Sequence, residues 1–350
     1  MKKLIKILTT IIVLVIIISL SGICDFNVIM ASSRVSEGQP VKVGVLLNRL
    51  KIDYMPEVRK NLEEIQKAND GKVEFYFYYA EENQSTQNYQ LDKLLKEGID
   101  LILLNIVDVD AAQDSINKIK EYNVPVILFN REPVKIDAIK SYNKSYYVGT
   151  NSEEAGRFQG KILVDEWNAN KKVMDINGDN ILQYVMLKGE RENIEAIGRT
   201  KYSVESINNA GIKTEELATR ICNWDKELAR QAMESLFLKY GNNIEAVIAN
   251  NDGMAVGAIE ALQKYGYNKG DKSKTIPVVG IDATEEAKEL IKKGFMTGSV
   301  VQDAKATAEA LYTIGMNLVN NTNPLEGTNY KFDETGIAIR IPHKPYINQI

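Results

Sequence analysis

Oxygen-bearing side chains recur at alternate positions in the stretch DINGDNILQ: Asp175, Asn177, Asp179 and Gln183, with a turn-forming Asn180 between them. That spacing matches the first part of a calcium loop of the EF-hand type, where alternate residues turn oxygens toward a hard cation. Such a loop closes with a glutamate at its twelfth position, but Met186 stands there, inside the apolar run YVML. The residues alone leave two readings open, a cation loop short of a ligand or a polar turn before a strand. Other reactive chemistry is scarce. His343 is the only histidine, which removes multi-histidine metal sites and most Ser-His or Cys-His nucleophile systems. Of the two cysteines, Cys24 lies in an apolar leader, so a disulfide to Cys222 is not expected. Cys222 reads as a small hydrophobe. No G-x-G-x-x-G follows the first strand and no G-x-x-x-x-G-K-[ST] occurs, which takes away the main support for nucleotide binding.

The elements that must position these groups follow from length and pattern. A chain of 350 residues suggests about two domains of roughly 150 residues each. Hydrophobic content of 44% and charged content of 26% are ordinary for a globular protein. A net charge of −4 without a Lys/Arg cluster argues against a nucleic-acid partner. Residues 1–31 read as a signal peptide or membrane anchor, with a basic start and an uncharged apolar run from Ile7 to Ile23. That run falls between the ~7–15 apolar residues of a secretory signal and the about 20 of a spanning helix. Cleavage after Ala31, lipidation at Cys24 and retention as an anchor all stay open. Export is expected, to a periplasm or a cell surface. Residues 32–40, SSRVSEGQP, form a polar linker.

Beyond the linker, strand and helix patterns alternate. VKVGVLL, VEFYFYYA, DLILLNIVD and VPVILFN read as strands, with amphipathic helices over MPEVRKNLEEIQKAND, LDKLLKEG and AAQDSINKIKEYN between them. A second series starts after YYVGT and carries strands QYVMLKG, KTEELAT, IEAVIANND, IPVVGID and TGSVV, then a last helix, AKATAEALYTIGMNLVNN, and an extended tail. The predicted class is α/β, with two doubly wound halves of similar size. Ligands of such sheets bind outside the carboxyl ends of the strands. The residues to inspect are Tyr54, Asn130, Glu190 to Arg199, Asn250–Asn251–Asp252 and Asp282.

The segments VPVILFNREP, YYVGTNSEEAG, LKGE, GIKTEEL, NWD, VIANNDGMAVGAIEAL and GIDATEEA closely resemble the galactose/glucose-binding protein family of bacterial ABC sugar transporters, in order from about Val41 to the C-terminal strand. The resemblance implies a periplasmic binding protein of type I: two Rossmann-like lobes, joined by three hinge crossings, closing over one monosaccharide. It places the N-terminal lobe in 41–150 and 303–333 and the C-terminal lobe in 151–302 and 334–350. It also completes the cation loop, because the family's last ligand is a distant acidic residue, here Glu245. Asp175, Asn177, Asp179, the Ile181 carbonyl, Gln183 and a bidentate Glu245 would then supply oxygens within the about 6–8 that Ca²⁺ takes. That ion would be structural.

The resemblance further implies a sugar pocket. Trp224 and Tyr54 fall on its two stacking positions, the second being Phe in the best-known members; flat apolar rings suit the C–H faces of a pyranose. Asn130, Arg199, Asn251 and Asp282 match the family's hydrogen-bonding residues by identity. Four positions depart from the pattern. Ile52 stands where the family has an aspartate that contacts the sugar's C4 hydroxyl, although Asp53 is its neighbour; Asn193 replaces a histidine, Glu195 an aspartate and Gln302 an asparagine. Glucose or galactose is the first expectation, and a pentose, a deoxy sugar or a glycoside the second. The implied partner is an ABC permease in the membrane. A sensor subunit for a membrane histidine kinase or a chemoreceptor is the alternative. No enzyme is expected: Asp282 and Glu195 could be cast as a glycosidase pair, but the resemblance assigns them hydroxyl contacts. A sugar-responsive repressor would need a helix-turn-helix before the first strand, where the leader stands.

Overall fold

The computed structural model describes residues 38–49 and 54–348. The leader, most of the linker, and Ile52 and Asp53 lie outside the described residues. The first series runs β1 (Val41–Leu47), α1 (Tyr54–Ala68), β2 (Val73–Tyr79), α2 (Gln84–Lys96), β3 (Leu101–Leu104), α3 (Ala112–Glu121), β4 (Val126–Phe129), a short α4 (Asp137–Lys140) and β5 (Ser145–Gly149). The second runs α5 (Ser152–Met174), β6 (Ile181–Lys188), α6 (Ile194–Asn209), β7 (Lys213–Ile221), α7 (Lys226–Tyr240), β8 (Ala246–Ala249), α8 (Asp252–Lys264), β9 (Val278–Val279), α9 (Glu285–Lys292) and β10 (Gly298–Val301). Helix α10 (Ala304–Val319) and strands β11 (Ala338–Arg340) and β12 (Lys344–Ile347) follow.

These strands form two six-stranded sheets, ordered β11-β5-β4-β3-β1-β2 and β12-β10-β9-β8-β6-β7. All pairings are parallel except β10 with β12. Both sheets thus repeat one order, in which the first strand lies inside the second and the chain then winds the other way. The resulting switch points, between β1 and β3 and between β6 and β8, are where such sheets bind ligands. Strands β3 (LILL), β4 (VILF) and β8 (AVIA) are buried at every position, as strands covered by helices on both faces must be.

The chain passes between the sheets after β5, after β10 and after β11. This last passage corrects the expected boundary at residue 334. Strand β11 pairs with β5 in register Ala338↔Tyr147 to Arg340↔Gly149, and Ile341 N–H donates to the Gly149 carbonyl at 2.7 Å. The tail therefore completes the first sheet before β12 joins the second. Three buried apolar residues, Ala338, Ile339 and Ile341, favour that docking. Arg340 fixes it, with its guanidinium on Glu132 (2.6 and 2.7 Å), Asp333 (2.9 Å) and the Thr150 carbonyl (3.1 Å).

One close approach matters for the site. A Cβ on Gly160 of α5 would lie 2.3 Å from the Ser203 carbonyl oxygen of α6, and one on Gly156 would lie 2.9 Å from that of Arg199. Glycine at both positions lets α6 lie directly on α5, and α6 carries Arg199 and Glu195.

Candidate functional site

The first lobe contributes the carboxyl ends of β1, β3 and β4 and the start of α1. Asn130 follows β4 in a left-handed conformation, φ 62°, which costs energy for a residue with a Cβ and recurs at functional sites. Its Oδ1 accepts from Asn105 Nδ2 at 3.1 Å, and the same Nδ2 donates to the Phe129 carbonyl at 3.2 Å. Asn130 therefore has its amide N–H groups left for the space in front of it. Tyr54 opens α1, and its hydroxyl hydrogen-bonds Thr307 Oγ1 of α10 at 2.8 Å. Burial raises that phenol's pKa above its ordinary range. The ring is what Tyr54 offers to the cavity.

The second lobe supplies the opposite wall. Asn193 caps α6, its Oδ1 accepting from Ala196 N–H at 3.2 Å. Six residues on, Arg199 donates to the Asn250 carbonyl at 2.9 Å and to Gln302 Oε1 at 2.7 Å. Its Nε is buried with no hydrogen-bond partner. Glu195 Oε2 lies 3.4 Å from the Arg199 guanidinium and is also buried without a hydrogen bond. Burial pushes the Glu195 carboxyl up to about 7, with Arg199 only partly offsetting it. Trp224, at φ 63°, lies against Gly189, where a Cβ would come within 2.4 Å of the indole. The Arg199 guanidinium sits 5.6 Å from the Trp224 ring centroid, a cation–π distance. Asn251 caps α8 through Met254 N–H (3.0 Å) and donates to the Trp224 carbonyl (3.2 Å). Asp282 follows β9 at φ 125°, its N–H on the Val300 carbonyl at 2.8 Å.

These groups surround one cavity of about 540 Å³, open solvent at its mouth included. All nine sugar-site residues named from the sequence line it: Tyr54, Asn130, Asn193, Glu195, Arg199, Trp224, Asn251, Asp282 and Gln302. Asn250 and Asp252, inspected with them, stand behind the wall. Asn250 receives Arg199, and Asp252 holds Ser299 Oγ (2.6 Å) and Thr284 N–H (2.8 Å). Sequence reasoning missed Asn48, Arg49, Met55, Asn105 and Arg131. The strand-end rule would have found Asn48 and Asn105, which directly follow β1 and β3. Arg131 and Arg49 tie the lobes together. The Arg131 guanidinium grips Glu190 with two bonds of 2.9 and 3.0 Å, while its other donors hold the Ile106 and Val107 carbonyls at 2.7 and 2.9 Å. Arg49 reaches the Asn223 carbonyl at 2.6 Å.

The oxygen-rich loop lies elsewhere, between α5 and β6. Glu245 comes to it from the start of β8, only 2% exposed, and accepts from Ile176 N–H (2.9 Å) and Gln183 N–H (3.0 Å). Burial raises its pKa more than those two bonds lower it, and Asp175 and Asp179 add to the rise. Asp179 is engaged within the loop, by Asn177, Ile181 and Gln183. Among the described residues no three carboxylate, imidazole or thiol groups converge as a ready cation cluster. Two buried oxygens nevertheless have no hydrogen-bond partner, Asp175 Oδ1 and Gln183 Oε1. Orphaned oxygens beside mutually repelling carboxylates are what a hard cation relieves, so the donor set fits Ca²⁺.

Comparison with known proteins agrees with this architecture. Residues 43–323 match the family model described as a periplasmic binding protein domain. The chain belongs to the periplasmic binding protein family. It is a binding protein of a transport family and not an enzyme. It is 35% identical to the D-galactose/methyl-galactoside binding periplasmic protein of Haemophilus influenzae, over 91% of this chain and 93% of that one. Among solved structures, an ABC transporter solute binding protein from Bacillus halodurans with bound myo-inositol shares 25% identity and a TM-score of 0.71, covering 89% of this chain and 96% of its own. One from Actinobacillus succinogenes with bound D-allose shares the fold, with a TM-score of 0.73 at 20% identity and coverage of 88% and 98%. The binding protein thus has the type I fold of a family of exported proteins. Among its described residues no helix is long and apolar enough to cross a membrane. Cys222 is a buried free thiol.

Proposed function

We propose that this binding protein encloses one monosaccharide, D-galactose or D-glucose before others, and presents it to an ABC permease. The observation that carries the reading is the cavity between the lobes where the Trp224 and Tyr54 rings meet a rim of amide, guanidinium and carboxylate groups. Rings suit the apolar faces of a pyranose, and polar groups with unused donors and acceptors suit its hydroxyl edge. Contacts made to both walls at once favour the closed state, so binding and closure are one equilibrium. The galactose-binding relative supports a hexose, while Ile52, which offers no acceptor, keeps a pentose, a deoxy sugar or a glycoside in the test. Titration with a panel of hexoses, pentoses and methyl glycosides, followed by tryptophan fluorescence with Trp224→Phe as control, checks it. Saturable quenching or enhancement by one sugar, lost in the variant, is expected; silence across the panel overturns it.

We further propose that Ca²⁺ is held by Asp175, Asn177, Asp179, the Ile181 carbonyl, Gln183 and Glu245. The support is the pair of partnerless oxygens and the buried glutamate that the loop brings together. The ion's part is structural, tying the α5–β6 loop to β8, and none of it reaches the sugar cavity.

A further inference from the structure

At the carboxyl end of β1, Asn48 is 4% exposed and lines the cavity. Its backbone is fixed on both sides, the N–H donating to Asn105 Oδ1 at 3.1 Å and the carbonyl accepting from Glu82 N–H at 3.1 Å. Its side-chain Oδ1 is buried with no hydrogen-bond partner. A buried orphan acceptor costs the desolvation of a carbonyl and recurs in native proteins where a ligand or water completes it. The polarity of this wall is set by Asn105. With its Nδ2 on Asn130 Oδ1 and its Oδ1 on Asn48 N–H, it leaves Asn130 a donor. The wall therefore needs an acceptor for any sugar hydroxyl whose proton it is to receive.

We propose that Asn48 Oδ1 is a specificity-determining contact, a neutral acceptor for one ring hydroxyl of the sugar. The proposal rests on the sugar-binding reading and deepens it. The pairing of Asn130 as donor with Asn48 as acceptor selects a ligand with a hydroxyl at that edge over one with a bare methylene.

The test uses D-galactose and D-glucose with their mono-deoxy derivatives, titrated calorimetrically against the wild type, Asn48→Leu and Asn48→Asp, with melting curves recorded in parallel. Asn48→Leu removes no bond that Oδ1 makes within the protein, and it should weaken the preferred hexose about tenfold. Against one deoxy derivative, and only one, wild type and Asn48→Leu should bind alike. Asn48→Asp keeps the acceptor and should retain the discrimination. If Asn48→Leu does not fold, Asn48→Ala read against the same derivatives decides the matter. Wild-type binding with unchanged affinity in the variant, or a loss equal for every derivative, overturns this proposal alone. A wild type that binds no sugar overturns the sugar reading, and this proposal with it.

Discussion

At the residue scale, the surroundings of Glu195 change its chemistry. Its carboxyl is raised from 4.5 to about 7 by burial. Between those values the folded protein holds a proton that the unfolded chain releases, so stability falls as pH rises through that window. Buried His343, its pKa lowered to about 3, acts with the opposite sign, so the effect is read as a difference: from pH 5 to pH 7 the melting temperature of Glu195→Gln should rise relative to that of the sugar-free wild type. Superimposable profiles for variant and wild type would contradict the assignment. Arg199 beside it uses a planar fork to reach two oxygens at once, the Asn250 carbonyl and Gln302 Oε1, which an ammonium cannot reproduce. Arg199→Lys should weaken sugar binding by about tenfold or more. Isothermal calorimetry reads this directly, and an affinity within twofold of wild type (about 0.4 kcal/mol) would show that the fork is not needed.

At the scale of elements, two joints hold the second lobe in shape. The first is α5 against α6, where Gly160 meets the Ser203 backbone. Gly160→Leu must push α6 outward, and overpacking of this kind costs about 1–3 kcal/mol. A lowered melting temperature and a weaker sugar affinity should appear together, because α6 carries Arg199 and Glu195. The second joint is the oxygen-rich loop, tied to β8 through Glu245. A chelator should lower the melting temperature of the wild type, since an ion at a hundred times its Kd adds about 2.7 kcal/mol. Glu245→Ala should be insensitive to the chelator. An unchanged wild-type melting curve in the chelator would argue against the ion.

At the scale of the whole molecule, two arginines that line the cavity, Arg49 and Arg131, also join the lobes by hydrogen bonds. The bidentate Arg131–Glu190 pair is the clearest, with side chains 11% and 28% exposed. Fully exposed pairs contribute about 0.2–1 kcal/mol, and the proposed sugar contacts to both walls would add to this clasp. Sugar should reduce the radius of gyration measured by small-angle scattering. Arg131→Ala should speed sugar release up to about fivefold. Equal release rates in variant and wild type would show the clasp to be idle.

What could be read from residues alone was a matter of local pattern. Apolar runs such as LILL and AVIA, bounded by helical spacing, predict the strands, and strand ends locate Asn130, Asn251 and Asp282 at the cavity. The same rule places Asn48 and Asn105 there, at the ends of β1 and β3. The tertiary structure alone decided which atoms of these amides are already paired within the protein, because Asn105 sits 57 residues from Asn48 and 25 from Asn130 in sequence. It also decided that β11 completes the first sheet, since a short strand of three residues has no pattern of its own to choose between two similar sheets. Local periodicity reports which face of an element is buried; the polarity of a binding wall depends on hydrogen-bond partners that only folding brings into reach.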